Sequence, residues 1–257
     1  MKIRWLGHAG FKLQFEDPSD SSVTRTIYID VWPDCPTFPE KAKAELNDAD
    51  LILVTHGQFD HSAGAPDLYK NAVENGKSPK IVAASELFHF FKEFYNVPEE
   101  AKVFMNKGST SDYGFCKIAM VPADHSSACI CPEGKLHLAG PPLGFFIEAA
   151  GKKLYHAGDT AVFSDMEIIS DYYEPEYALL PIGGLATMGP KEAAYALAKY
   201  LKSVKKVIPM HFGTFPLLAG TPEQLKEHFA NYQIKYERED VTFIDPFSFL
   251  ESPQDLD

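Results

Sequence analysis

Apolar residues recur along the chain in short runs bounded by polar, glycine or proline positions, and few of the runs are long enough for a helix. Runs of this length predict strands over Lys2–Trp5, Phe11–Phe15, Thr26–Ile29, Leu51–Val54, Lys80–Ala83 and Cys116–Val121. The same pattern returns at Gly144–Ala149, Lys153–Tyr155, Tyr177–Leu180 and Val207–Met210. Between them the period lengthens to that of amphipathic helices. Helices are expected over Glu40–Asn47, Pro66–Glu74, from Ser85 as N-cap to Tyr95, over Pro190–Leu201, and over Pro222–Asn231 capped by Thr221. Polar Glu16–Ser22 and Ala150-Gly151-Lys152 read as hairpin turns. Strands followed by strand–helix alternation, twice over, predict helices outside sheets in a layered α/β sandwich. No Ser/Gly linker divides the halves, so residues 1–257 read as one domain, with a loop insertion at 126–142 that follows His125 as a lid would.

Five of the apolar runs end in residues that can bind a metal. Ile27–Ile29 leads to Asp30, and Leu51–Val54 leads to Thr55-His56-Gly57-Gln58-Phe59-Asp60-His61-Ser62. Ile118–Val121 leads to Asp124 and His125, Lys153–Tyr155 to His156 and Asp159, and Val207–Met210 to His211. Strand ends gather along one edge of a sheet, so residues remote in sequence can converge there. One such residue is unremarkable; five in the same relative place predict a metal centre. His89, His137 and His228 lack that placement and read as ordinary helix or loop histidines, and Lys205-Lys206 as a solvated pair.

The charge balance of 24 basic against 36 acidic residues, −12 in all, speaks against nucleic-acid binding, which runs on Lys and Arg contacts to phosphates. No apolar run approaches the roughly 20 residues that span a bilayer, so no membrane association is expected. The N-terminal stretch has no apolar core and no small-residue cleavage site, so a signal peptide is not expected and a cytoplasmic address is. Cys35, Cys116, Cys129 and Cys131 show no disulfide spacing, and Cys129-Ile130-Cys131 lacks a partner pair for a zinc knuckle, so all four read as reduced thiols.

Taken together, His56-x-Gln58-x-Asp60-His61, the lone His125, Ala157-Gly158-Asp159-Thr160 and Met210-His211-Phe212 resemble the metallo-β-lactamase superfamily. Its signature is His-x-His-x-Asp-His followed by a lone His, a bridging Asp and a final His. Trp5-Leu6-Gly7-His8, Tyr155–Thr160, Leu180–Gly183, Thr187–Pro190 and Ile208–His211 are most similar to compact metal-dependent hydrolases related to ascorbate-6-phosphate lactonase. The resemblance implies a four-layered αββα sandwich with one or two divalent ions, Zn²⁺ first and Mn²⁺ as the alternative. His56 and His125 would serve one site, with Gln58 where a third histidine is usual. Asp60, His61 and His211 would serve the other, and Asp159 would bridge. Asp30 would support the ligands from behind, His156 would lie behind the site or in the core, and His8 would contact substrate. A Gln carbonyl oxygen is a weaker, harder donor than imidazole, so the first site is expected to bind zinc less tightly, favour Mn²⁺ or stay empty.

The activity implied is hydrolysis of a small ester, lactone or phosphate-bearing metabolite, with Asp60 holding the attacking water. Two alternatives remain open: a degenerate member that binds without turnover, and a phosphodiesterase. Glyoxalase-type thioesterases, nucleases and secreted β-lactamases fit less well, for want of a C-terminal helical region, a basic exosite and a signal sequence respectively. The partner is a small molecule, and a homo-oligomer is left open.

Overall fold

The computed structural model describes residues 1–256, so the last residue of the expected one-domain span lies outside the described residues. The strands in chain order are β1 (Lys2–Trp5), β2 (Phe11–Asp17), β3 (Asp20–Ile29), β4 (Leu51–Leu53), β5 (Lys80–Val82), β6 (Thr110–Asp112), β7 (Cys116–Pro122) and β8 (Ala128–Ile130). They continue with β9 (Leu136–Leu138), β10 (Leu143–Ala149), β11 (Lys152–His156), β12 (Tyr177–Pro181), β13 (Lys206–Met210), β14 (Thr242–Phe243) and β15 (Gln254–Asp255). The helices are α1 (Glu40–Lys43), α2 (Phe59–Ser62), α3 (Ala65–Glu74), α4 (Ser85–Tyr95), α5 (Met166–Tyr173), α6 (Pro190–Lys199) and α7 (Pro222–Tyr236).

Two large sheets result, in the orders β15-β1-β2-β3-β4-β5 and β14-β13-β12-β11-β10-β7-β6, with β8 and β9 as a separate two-stranded hairpin. One apolar core runs through both, from Trp5, Phe11 and Tyr28 in the first sheet to Phe145, Tyr155 and Tyr177 in the second. Parallel pairs β4–β5 and β12–β13 need crossovers, which α3 and α6 supply. The inner faces are occupied by the opposing sheet, so the helices cover the outer ones, and strands covered on both sides can be continuously apolar. This is the mixed α/β sandwich expected from the pattern.

Strand direction places the site. β1 and β3 each run antiparallel to β2, and β4 is parallel to β3, so all three point the same way. In the second sheet β7 and β11 both run antiparallel to β10, and β12 and β13 are parallel to β11. The segments leaving β1, β3, β4, β7, β11 and β13 carry His8, Asp30, His56–His61, His125, His156–Asp159 and His211. Two sheet edges thus present every chemistry-bearing strand end singled out from the sequence.

Local boundaries differ from expectation in three instructive places. The first helix stops at Lys43 instead of Asn47, and the turn beyond it lets Glu45 and Asp48 reach Arg4, Lys12 and Tyr28. Ser85 opens its helix from inside, with Ala84 as N-cap, and the Ser85 hydroxyl accepts a hydrogen bond from Lys102 Nζ. The 126–142 insertion is not irregular but carries the β8–β9 hairpin. Thr221 does cap α7, exchanging bonds with Gln224 in a capping box, and Pro190 opens α6.

Candidate metal centre

Asp159 is the hub of the site. Its Oδ2 lies 3.0 Å from His211 Nε2, 3.4 Å from His61 Nε2, 3.7 Å from His125 Nε2 and 3.8 Å from His56 Nε2. Asp60 Oδ2 lies 3.9 Å from both His61 Nε2 and His211 Nε2. Donor atoms bound tetrahedrally about 2.0–2.1 Å from one zinc ion are themselves about 3.3 Å apart, and these spacings bracket that value. Two sets bring one donor atom each within 4.8 Å of one another: His56, His61 and Asp159, and His8, Asp60, His61 and His211. His125 stands slightly apart, half-buried, with its ring 5.2 Å from that of His56.

The hydrogen bonding behind these side chains aims them. Thr55 Oγ1 donates to Asp30 Oδ2 and Thr55 N donates to Asp30 Oδ1, so the hydroxyl is left to accept from His56 Nδ1–H. That fixes the tautomer in which His56 Nε2 carries the inward lone pair. His61 Nδ1 donates to the same Asp30 carboxylate, again turning Nε2 inward. Asp30 therefore holds two imidazoles at once, and is itself wholly buried.

What those nitrogens face is the decisive observation. Eight buried side-chain polar atoms have no hydrogen-bond partner among the described residues: His56 Nε2, Gln58 Oε1, His61 Nε2, Asp159 Oδ1, both ring nitrogens of His211, His137 Nε2 and Tyr155 Oη. Six of them belong to the expected ligand residues. Buried polar groups are otherwise almost always paired, because each orphan costs about 1–3 kcal/mol. The unpartnered Nε2 atoms of His56, His61 and His211, gathered within 3.8 Å of one carboxylate oxygen of Asp159, fit a shared divalent cation.

The electrostatics agree. Burial pushes His56 down to about 3 and also lowers His125, which keeps both neutral and basic toward a metal. Burial opposes charge on His61 too, yet Asp159 and Asp30 raise its pKa well above the usual imidazole value. Burial would raise the carboxyl of Asp159, but His61 and His211 bring it well below the usual range; for Asp30 the counterweight to burial is His61. Three buried or half-buried carboxylates crowd one place, and among the histidines around them only His61 is driven toward positive charge.

His8 differs from the role expected of it. Its ring is fully buried and both nitrogens are engaged, Nε2 at 3.0 Å from Asp60 Oδ2 and Nδ1 at 3.0 Å from Thr214 Oγ1. Burial lowers its pKa to about 4, so the ring is neutral; Nε2–H donates to the carboxylate and Nδ1 accepts from Thr214. No ring atom is left for a substrate in this geometry. His8 also ties the two sheets, since its carbonyl accepts from Trp5 Nε1 and from the backbone N–H of His211. His156 sits behind the site: Nε2 donates to Ala9 O and Nδ1 accepts from Gly158 N, shaping the turn that presents Asp159. That turn needs Gly158, whose φ is +62° and whose missing Cβ would strike Leu143 O.

Gln58 is turned partly aside. Its Nε2 donates to Ser126 Oγ at 2.9 Å, leaving Oε1 buried without a partner. Thr55 and Thr214 are the contributors that the sequence reading gave no role. Thr55 adjoins the motif and Thr214 lies three residues past His211, but a lone threonine carries no signal of its own.

With this geometry in view, the comparisons with known proteins are consistent. The beta-lactamase superfamily domain model matches residues 25–212. A metal-dependent hydrolase of the UPF0173 family from Rubrobacter xylanophilus is 40% identical over 88% of this chain and 88% of its own. The structure is similar to that of Igni18, a metallo hydrolase from Ignicoccus hospitalis, with a TM-score of 0.74 at 27% identity over 95% of both chains. It shares its fold with the metallo-β-lactamase-fold protein YhfI of Bacillus subtilis, with a TM-score of 0.65 at 12% identity over 95% of both chains. The chain therefore belongs to the metallo-β-lactamase superfamily, among its metal-dependent hydrolases.

Proposed function

We propose that this hydrolase acts on a small ester, lactone or phosphate-bearing metabolite through one or two divalent cations, Zn²⁺ by preference. The observation that carries this reading is the set of orphaned donors around Asp159. His61, His211, Asp60 and Asp159 would hold one ion. His56, His125 and Asp159 would hold the other, with Gln58 Oε1 as the weak fourth donor that opens that place to Mn²⁺. A cation bound there supplies an activated water, with a pKa brought to about 7, and polarises the oxygen of the bond to be cleaved.

The chain's own residues do the rest. Burial would raise the Asp60 carboxyl, but the His8 hydrogen bond and the His61 charge lower it far more, so Asp60 is an ionised acceptor. With a cation in place it would hold and orient the attacking water as a hydrogen-bond acceptor. His8, fixed by Thr214, holds Asp60 Oδ2 in place as a positioning residue. A small-molecule substrate in the cytoplasm suits the charge of −12, and no described helix is long and apolar enough to cross a membrane.

The test is metal analysis of purified protein, followed by a panel of p-nitrophenyl esters, lactones, phosphomonoesters and phosphodiesters before and after chelation. Metal-dependent turnover of one class supports the reading; bound metal without turnover of any class removes it. Gln58 favours one second reading, a member that binds without turnover. Restoration of activity by Gln58→His on an inactive wild type would establish that reading.

A further inference from the structure

A cavity of about 280 Å³ lies against the metal motif. One wall is the motif itself: Gly57, Gln58, Phe59 and Ser62 line it. Phe90 and Phe91 of α4 and residues of the β8–β9 hairpin complete the lining. Its polar groups are almost all occupied within the protein. Ser62 Oγ and Cys129 Sγ both donate to Gly57 O, and no ionisable carboxylate, lysine or arginine lines it. Among the buried side-chain polar atoms of its described lining, Gln58 Oε1 is the one without a partner, and Tyr95 adds an exposed hydroxyl. The hairpin is pressed onto the motif so closely that a Cβ on Gly57 would meet Cys129 Sγ at 2.8 Å.

The mouth is apolar as well. Phe59, Tyr95, Ile130 and Leu136 rim it at 60, 44, 67 and 70% exposure. Exposed large apolar side chains gathered round one opening, not scattered singly, mark a binding surface. Size then narrows the occupant. Ligand pockets run from about 300 to 1,000 Å³, so this one sits at the small end of that range and suits one group of a larger molecule. Continuity says where. Gln58 lines the cavity, stands between His56 and Asp60 in the chain, and bonds Ser126 beside His125.

We propose that the cavity is the subsite for an apolar acyl or aryl group of the substrate, whose scissile bond is held at the His/Asp centre. The proposal rests on the hydrolytic reading for the reaction but not for the binding of the apolar group. Gln58 then stands at the junction, lining the cavity on one side and adjoining the His/Asp centre on the other.

The experiment has two arms on the full chain. In the first, kcat/KM is measured on zinc-loaded protein for p-nitrophenyl acetate, butyrate, hexanoate and octanoate. A chain entering the cavity gains about fourfold per buried methylene. In the second, binding of 8-anilinonaphthalene-1-sulfonate is read by fluorescence, which needs no turnover. Ala63→Trp fills the mouth from an exposed position, and Leu136→Glu charges the rim without touching the core. Ile234→Trp, on the exposed face of α7 outside the cavity, is the control.

The proposal predicts a chain-length gain and dye binding in wild type and control, with the gain flattened and dye binding weakened at least tenfold in both cavity variants. Dye binding lost in those variants while no ester is hydrolysed would uphold the subsite and remove the hydrolytic reading alone. Ester turnover indifferent to chain length, with dye binding indifferent to Ala63→Trp, would overturn the subsite and leave the hydrolase. A dimer by light scattering that Leu136→Glu dissociates, with no dye bound by the wild type, would assign the rim to a second copy and also overturn it.

Discussion

Two charged clusters in this molecule, one of buried cations under partly exposed carboxylates and one mostly buried, look alike by composition and are opposite in kind. The first lies across β1, β2 and β3, where Arg4, Lys12 and Tyr28 are successive cross-strand neighbours. Arg4 Nη1 forks onto both oxygens of Glu45, and its other nitrogens donate to the Leu250 and Glu251 carbonyls. Lys12 Nζ meets Asp48 at 3.0 Å, and Tyr28 Oη donates to Asp48 and to Glu45 O. Two cations face two anions, and no buried atom of Arg4, Lys12 or Tyr28 is left without a partner. The second cluster is the His/Asp centre, where carboxylates outnumber their counter-charges and six donors have no partner. A network that closes on itself is architecture. One that stays open in a buried place is a receptor for something charged.

That contrast can be broken by experiment. The largest effect expected is from Asp60→Ala, which removes the carboxylate proposed to hold metal and water and should lower kcat by about 10²-fold or more. Turnover retained within tenfold would place the chemistry elsewhere. Chelation comes next. An ion held at 100 times its Kd stabilises the fold by about 2.7 kcal/mol, so stripping it should lower Tm by roughly 5–10 °C in calorimetry, and readdition should restore it.

Asp30→Asn sharpens the comparison, since it alters a residue that only aims ligands. Metal affinity by competition with a chelating dye should fall about 10–100-fold, with the fold intact by circular dichroism. The mildest effect belongs to the closed network. Asp48→Ala strips the partner of Lys12 and Tyr28 and should cost about 1–3 kcal/mol in urea unfolding. Its metal content and kcat should match wild type. A loss of metal there would show the two clusters to be coupled.

The sequence announced the open cluster far better than the closed one, for a physical reason. Histidines and aspartates at strand ends are the commonest candidates for metal ligands, so His56, Asp60, His61, His125, Asp159 and His211 can be picked out by type and place, with Asp30 behind them. Arg4, Lys12, Glu45 and Asp48 are ordinary charged residues whose pairing depends on sheet register, which no local pattern encodes. The same limit hid the early end of α1, because Glu45 and Asp48 leave the helix for partners on β1, β2 and β3. Helix α5 was missed although Met166, Ile169 and Ser170 are buried on one side of it, since eight residues give a weak periodicity. His8 was legible as a site residue, but not in its role. Only the geometry reveals that its proton already belongs to Asp60. Strands β14 and β15 are two residues each and hold their places by tertiary pairing alone.

Three residues of the centre, His8, Asp30 and His211, hold left-handed backbone, with φ of 52°, 45° and 55°. Histidine and aspartate tolerate that region better than most residues, yet each such position costs on the order of 1–3 kcal/mol. A whole domain is typically stable by only about 5–15 kcal/mol. Anyone evolving this enzyme for heat tolerance without an activity screen should therefore watch these positions first, because asparagine or glycine there relieves the backbone while deleting the donor. Screens that keep activity in the selection would have to find their gains far from this edge of the sheets.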